Sequence, residues 1–238
     1  MSKGTLYLIP VPIGEQTNPA DVLPQPVLEI TRTLRFFIAE NAKSCRAFLK
    51  AAQITIPLQE IAVESYGKHD RKEVSTSFFL KPLLDGHDVG LVSEAGCPAV
   101  ADPGSDIVKV AHEKGIRVVP LTGPSSLLLS LMASGFAGQQ FRFHGYLPIN
   151  NEERADWISS MEHDANRHEI TQIFIETPFR NMPLFEALLK TLRPETMLCI
   201  ASALTLKDEK IQVKKIREWR ASPPPDLHKI PAVFLIGK

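Results

Sequence analysis

"LVSEAGCPAVADPGSDIV", residues 91–108, starts as an apolar strand, breaks into glycine, proline and carboxylates, and then resumes an apolar helical rhythm. A strand that ends in a Gly/Pro loop and leads into a helix is half of a β-α-β unit, and the flanking sequence supplies the rest. "DVGLVSE" reads as the strand, "SDIVKVAHEKG" as the helix stopped by Gly115, and "IRVVPLT" as the next strand. Upstream, "TLYLIP" and "FFIAE" read as strands, with "PVLEITRTLR" and "KSCRAFLKAAQ" as the helices after them. "STSFFLKPLLDG" reads as one helix ended by Gly86, despite Pro82 within it. These strands are apolar on both faces, which predicts a mainly parallel sheet covered by helices.

After "LTGPSS" the pattern changes. A small-residue helix, "LLLSLMASG", leads to the strand "FRFHGYL" and the polar helix "NNEERADWISSMEHD". "EITQIFIE", "FRNMPLFEALLKTL" and "TMLCIASAL" follow as strand, helix and strand, and "KIQVKKI" and "PAVFLIG" end the chain as strands with hairpin pairing. The expected fold is therefore α/β in two domains, 1–121 with a mainly parallel sheet and 122–238 with a mixed sheet.

The 238 residues are 44% hydrophobic and carry 27 basic and 27 acidic side chains, so the whole surface offers no electrostatic footprint for nucleic acid. Cys45, Cys97 and Cys199 are far apart and have neither metal nor disulfide spacing, which favours a reducing cytosol and no metal. "MSKGTLYLIP" lacks the apolar stretch of a secretory signal, and "LLLSLM" is too short to span a bilayer. The expectation is a cytoplasmic protein without membrane attachment.

Four loops sit where an α/β sheet binds ligands, beyond the carboxyl ends of strands: "PVPIGE" (10–15), "AENAK" (39–43), "SEAGCPAVADPG" (93–104) and "LTGPSS" (121–126). None contains G-x-G-x-x-G or G-x-x-x-x-G-K-[ST], so no dinucleotide or phosphate cradle is present. The 93–104 loop holds Glu94 and Asp102 but no cation, which suits a ligand with hydroxyls, an amino group or positive charge. The simpler reading is a turn whose aspartate and serine cap the next helix, with Ser125 or Ser126 doing the same in "TGPSS".

Five segments in order carry a resemblance: "LYLIPVPIG" (6–14), "LVSEAGCPAVADPG" (91–104), "VVPLTGPSS" (118–126), "FRFHGYLP" (141–148) and "IFIETPFR" (173–180). Together they resemble the tetrapyrrole methylase superfamily of S-adenosylmethionine-dependent methyltransferases, nearest its ribosomal RNA small subunit methyltransferase I branch, which methylates a cytidine ribose 2′-hydroxyl. The resemblance implies a homodimer of two-domain subunits with S-adenosylmethionine in a cleft between the domains. That cofactor carries a sulfonium, an amino group and a ribose diol but no phosphate, matching a loop of backbone and carboxylates. By motif position the implied cofactor contacts are Pro12, Ser93, Glu94, Ala95, Gly96, Cys97, Val100, Ser125, Ser126, Glu176 and Ala203.

The chain departs from that branch at three places. Glu15 stands where asparagine is usual, "AENAK" replaces A-E-D-T-R, and Ser202-Ala203 replaces an Arg-Glu pair. Cofactor loops are thus kept better than substrate-facing charges, which leaves the acceptor open between ribosomal RNA and another molecule such as a tetrapyrrole. It also keeps a second class in play, a catalytically silent S-adenosylmethionine-binding sensor or scaffold. Glu40, Lys43, His69 and Arg180 are candidates for the proton-handling or cationic group at the acceptor oxygen, each with a structural alternative such as an ion pair or a solvated loop position. "KDEKIQVKKIREWR" with Trp219 reads either as an RNA-contacting strip or as a solvated amphipathic segment.

Overall fold

The computed structural model describes residues 2–14, 16–67 and 76–238, so Glu15 and His69 lie outside the described residues. The chain forms two compact units, Met1–Ser125 and Ser126–Lys238.

In the first unit five strands, β1 (Thr5–Leu8), β2 (Phe36–Ala39), β3 (Ala62–Ser65), β4 (Val89–Val92) and β5 (Arg117–Pro120), form one sheet in the order β3-β2-β4-β1-β5. Every pairing is parallel. The period-2 alternation of strand side chains splits the core into two layers. Phe37, Ala39, Ile9 and Val92 pack with Val27, Cys45 and Leu49 from the helices Gln25–Thr33 and Ala42–Ala51. Leu6, Ile38 and Leu91 pack on the other face with Phe79, Leu83, Ile107 and Ala111.

Local chemistry sets these helices. Gln25–Thr33 has proline in its first turn, and Asn41 caps Ala42–Ala51 by accepting from Lys43 N at 2.9 Å. The stretch expected as one helix is two short ones, Thr76–Phe79 and Lys81–Leu84, because Pro82 can only begin a new turn. The chain leaves β1 over one face toward β2 and leaves β4 over the opposite face toward β5. Neighbouring strands with diverging connections open a crevice at their carboxyl ends.

The second unit holds β6 (Phe141–Tyr146), β7 (Thr171–Ile175), β8 (Met197–Ser202), β9 (Lys210–Lys215) and β10 (Ala232–Gly237), ordered β6-β7-β10-β8-β9. β6 and β7 are parallel and the other three pairings antiparallel, so the sheet is mixed; β9 forms its hairpin with β8, and the last strand β10 inserts between β7 and β8 instead of pairing with β9. Phe174 and Phe234, partners in register, stack at 5.8 Å beneath the helices Asn151–His168, Asn181–Thr191 and Ile216–Ala221. The helix Ser126–Ser134 covers the other face through Leu131, with Phe136 beyond its end. A Cβ added at Gly237 would come within 2.5 Å of the Phe136 ring, so only glycine fits there.

Trp219 is buried, with its Nε1 donating to Leu198 O at 3.1 Å. It therefore serves the core and is not available to stack on RNA. Lys215 and Arg217 both bind Glu195, and the Arg220 guanidinium donates to Leu189 O and Leu192 O, so these three of the segment's six basic side chains have partners within the fold.

Candidate functional site

Three strand-end loops of the first unit converge. Val11 and Gly96 exchange both backbone hydrogen bonds, at 2.9 and 3.1 Å, tying the loop after β1 to the loop after β4. Cys97 Sγ donates to Pro124 O at 3.5 Å, bringing in the loop after β5. A Cβ at Gly123 would meet Pro10 Cβ at 2.3 Å, so this close approach depends on the missing side chain. Pro12, Ser93, Glu94, Ala95, Gly96, Cys97, Val100 and Ser125 are thereby gathered on one side of the sheet.

The 93–104 backbone is strained. Gly96 (φ 69°) and Gly104 (φ 128°) adopt conformations natural to glycine, but Ala99 (φ 66°) and Ala101 (φ 63°) do so with a Cβ. Each alanine costs roughly 1–2 kcal/mol in this region. Such strain persists where the surroundings hold it, commonly at ligand sites. The helix Ser105–Glu113 begins after Gly104 without a side-chain cap, so the capping alternative for Asp102 is not what the loop does.

Asp102 instead lies close to the Ser93 hydroxyl and faces Glu40 and Glu94. Burial first, then repulsion from Glu40 and Glu94, pushes its carboxyl up to about 6, with the nearby Ser93 hydroxyl opposing. Ser44 Oγ donates to Glu94 Oε2 at 3.1 Å, and Ser93 Oγ donates to Ala95 O at 3.3 Å. Val100 is 49% exposed, offering an uncovered apolar wall. Burial raises the Cys97 thiol, so it sits there as a small apolar group. Lys43 is exposed in the first turn of its helix.

In the second unit, Glu176 and Ala203 end β7 and β8 on either side of β10. Glu176 is buried, and its Oε1 accepts from Thr177 N at 2.6 Å and from Arg180 Nη2 at 2.7 Å. Arg180 is thus the cationic half of an ion pair. Ala203 is left-handed (φ 50°) and its N–H donates to Pro231 O at 3.0 Å. Ser126 opens the helix on the opposite face of that sheet.

A hollow of about 180 Å³ beside Phe36, Ala62, Phe78, Lys81 and Val89 lies at the amino ends of β2, β3 and β4. It is at the wrong end of the sheet for these loops. Among the described residues no three His, Cys, Asp or Glu could hold a metal ion together, and no helix is long and apolar enough to cross a membrane.

The model of one family, the tetrapyrrole (corrin/porphyrin) methylases, matches residues 6–219. The chain belongs to that family. It is similar to the ribosomal RNA small subunit methyltransferase I of Synechocystis, 33% identical over 85% of this chain and 67% of that one. The protein of the same name from Escherichia coli O157:H7 is 31% identical over 92% of this chain and 72% of its own length. That from Haemophilus influenzae is also 31% identical, over 93% and 74%. In fold it resembles the methyltransferase CobJ, with TM-score 0.63 at 18% identity over 100% of this chain and 95% of that one. A uroporphyrin-III-C-methyltransferase from Thermus thermophilus gives 0.56 at 17% identity, over 99% and 92%.

This chain is accordingly a methyltransferase, with S-adenosylmethionine as its methyl donor. The converged loops fit that donor. They present backbone N–H and C=O groups, the Ser93 and Ser125 hydroxyls and the carboxylates of Glu94 and Asp102, with Glu40 at the neighbouring end of β2, where a phosphate-bearing cofactor would need cations. Bound there, the donor supplies an electrophilic methyl group on a positively charged sulfur. Glycine and proline punctuation marks the loop in the sequence, whereas the approach of Asp102 to Glu40 across two strands has no sequence signal.

Proposed function

We propose that this methyltransferase modifies small-subunit ribosomal RNA, at a cytidine ribose 2′-hydroxyl. The observation that carries this reading is the agreement of relatives 31–33% identical over 85–93% of the chain, all named for that RNA. Pro12, Ser93, Glu94, Ala95, Gly96, Cys97, Val100 and Ser125 are assigned to holding the cofactor, and Ser126, Glu176 and Ala203 remain assigned by motif position. The enzyme is further proposed to be a cytoplasmic homodimer, which sedimentation of the purified chain tests.

A methyl transfer of this kind demands alignment of donor and acceptor above all. A ribose hydroxyl is a weak nucleophile and benefits from a group that takes its proton. Asp102, whose carboxyl is pushed up to about 6 by burial and the neighbouring carboxylates, is the group assigned to take that proton. Arg180 is committed to Glu176 and cannot act as a base.

Calorimetry with S-adenosylmethionine and S-adenosylhomocysteine, followed by tritium transfer into undermethylated small ribosomal subunits, tests the reading. Labelled RNA is the expected result. Label entering a tetrapyrrole instead refutes the RNA acceptor, and cofactor binding without any methylated product favours a cofactor-sensing role.

A further inference from the structure

Just beyond Glu176, Phe179 leaves 68% of its surface in water. One exposed ring is ordinary, but this one is held in place. Lys229 Nζ lies 5.8 Å from the ring centroid, and the His228 ring stands edge-on at 6.3 Å and 84°. These two residues come from the segment before β10, about fifty positions along the chain. Lys229 is left-handed (φ 61°), and its N–H donates to Pro178 O at 3.2 Å, beside Phe179. The buried Asn181 fastens the same two segments, its Nδ2 donating to Ile230 O at 2.6 Å. His228 N donates to Asp226 Oδ1 at 3.3 Å, the acid on this side of the corner.

The result is an aromatic surface on a rigid corner, bordered by Lys229, His228 and the partly exposed Arg180. A protein partner anchored by apolar burial would call for aliphatic neighbours around the ring. A lysine ammonium and an imidazole N–H donor beside one exposed aromatic instead match an unstacked base and its flanking phosphate. We propose that Phe179 is an acceptor-positioning residue that stacks one base of single-stranded RNA, with Lys229 and His228 against the adjoining phosphate. The inference rests on the ribosomal-RNA reading above and names the residues that hold that RNA. It draws on residues of the second unit that the cofactor assignment does not use.

The test uses the full chain with Phe179→Ala, Phe179→Tyr and Lys229→Gln, and measures KM separately for undermethylated small ribosomal subunits and for S-adenosylmethionine. Phe179→Ala is expected to raise the RNA KM about tenfold, the loss of one stacked base. The cofactor KM stays unchanged and Phe179→Tyr restores RNA binding. Lys229→Gln raises the RNA KM about threefold and flattens its dependence on salt. An active Phe179→Ala enzyme with an unaltered RNA KM overturns the proposal. So does a cofactor KM that rises in step, or a tyrosine variant as impaired as alanine. If the parent enzyme transfers no methyl to the subunits, the underlying reading fails first, before any variant is compared, and the proposal falls with it.

Discussion

The loop after β4 and the corner formed by Phe179 and Lys229 are built in opposite ways. The loop works through backbone: four left-handed residues in nine, close approaches allowed by glycine, and hydrogen bonds between main chains. The corner is made of side chains, an ion pair and a ring flanked by Lys229 and the His228 imidazole, carried on two segments fastened together by main-chain and asparagine bonds. A backbone site tolerates changes of side chain but not of conformation, whereas a side-chain site shows the reverse sensitivity.

Substituting the loop's conformational keystone is the harshest way to break this contrast. Gly104→Ala places a Cβ 2.9 Å from Leu91 Cδ2 at a φ of 128°, and should cost about 3 kcal/mol in urea unfolding, strain and overpacking together. Cofactor affinity should fall more than tenfold by calorimetry. A variant that binds as the parent does would show that the loop's conformation is not what matters. Next in size is Glu176→Ala in the second unit, which strands the Arg180 charge and the Thr177 N–H. About 1–3 kcal/mol of stability should be lost, the guanidinium being open enough to recover some hydration.

Asp102→Asn sharpens the comparison through pH. The carboxyl sits at about 6 in the fold against an ordinary 3.8, so folding takes up a proton between those values. Ionised Asp102 therefore weakens the fold; the penalty is full above about pH 6 and gone below about pH 4. The asparagine variant should melt higher than the parent at pH 8, and the gap should close as pH falls through 6 towards 4. Methyl transfer by the parent should rise through about pH 6 as Asp102 ionises, and the asparagine variant should lack that rise. Smallest of all, Cys97→Ala should leave cofactor affinity within about twofold, since a small half-buried thiol contributes mainly volume.

The strand-helix alternation of the first unit is readable because its strands are apolar throughout and its helices amphipathic. β3 escapes that reading because "AVES" is a half-exposed edge strand of four residues with no alternation to detect. The split at Pro82 is written in the proline itself, which outweighs the apolar periodicity around it. The loop after β4 is legible because glycine and proline announce backbone conformation. Asp102 facing Glu40, and Lys229 over Phe179, are products of topology. Residues sixty and fifty positions apart meet only once strands are ordered, and no local pattern encodes that. The basic strip around Trp219 shows the converse, because its composition suggests an RNA contact while its partner Glu195 lies twenty residues upstream.

The strand order of the first unit also bears on how the chain comes off the ribosome. β1 emerges first yet pairs only with β4 and β5, so residues 5–8 have no neighbour until residues 89–120 have been made. Its apolar side chains must wait through nearly the whole synthesis of this unit, a delay during which an unsatisfied strand is exposed to mispairing. Slowing translation after residue 120 should therefore do little for yield. Holding the nascent amino terminus in a chaperone until then should raise it.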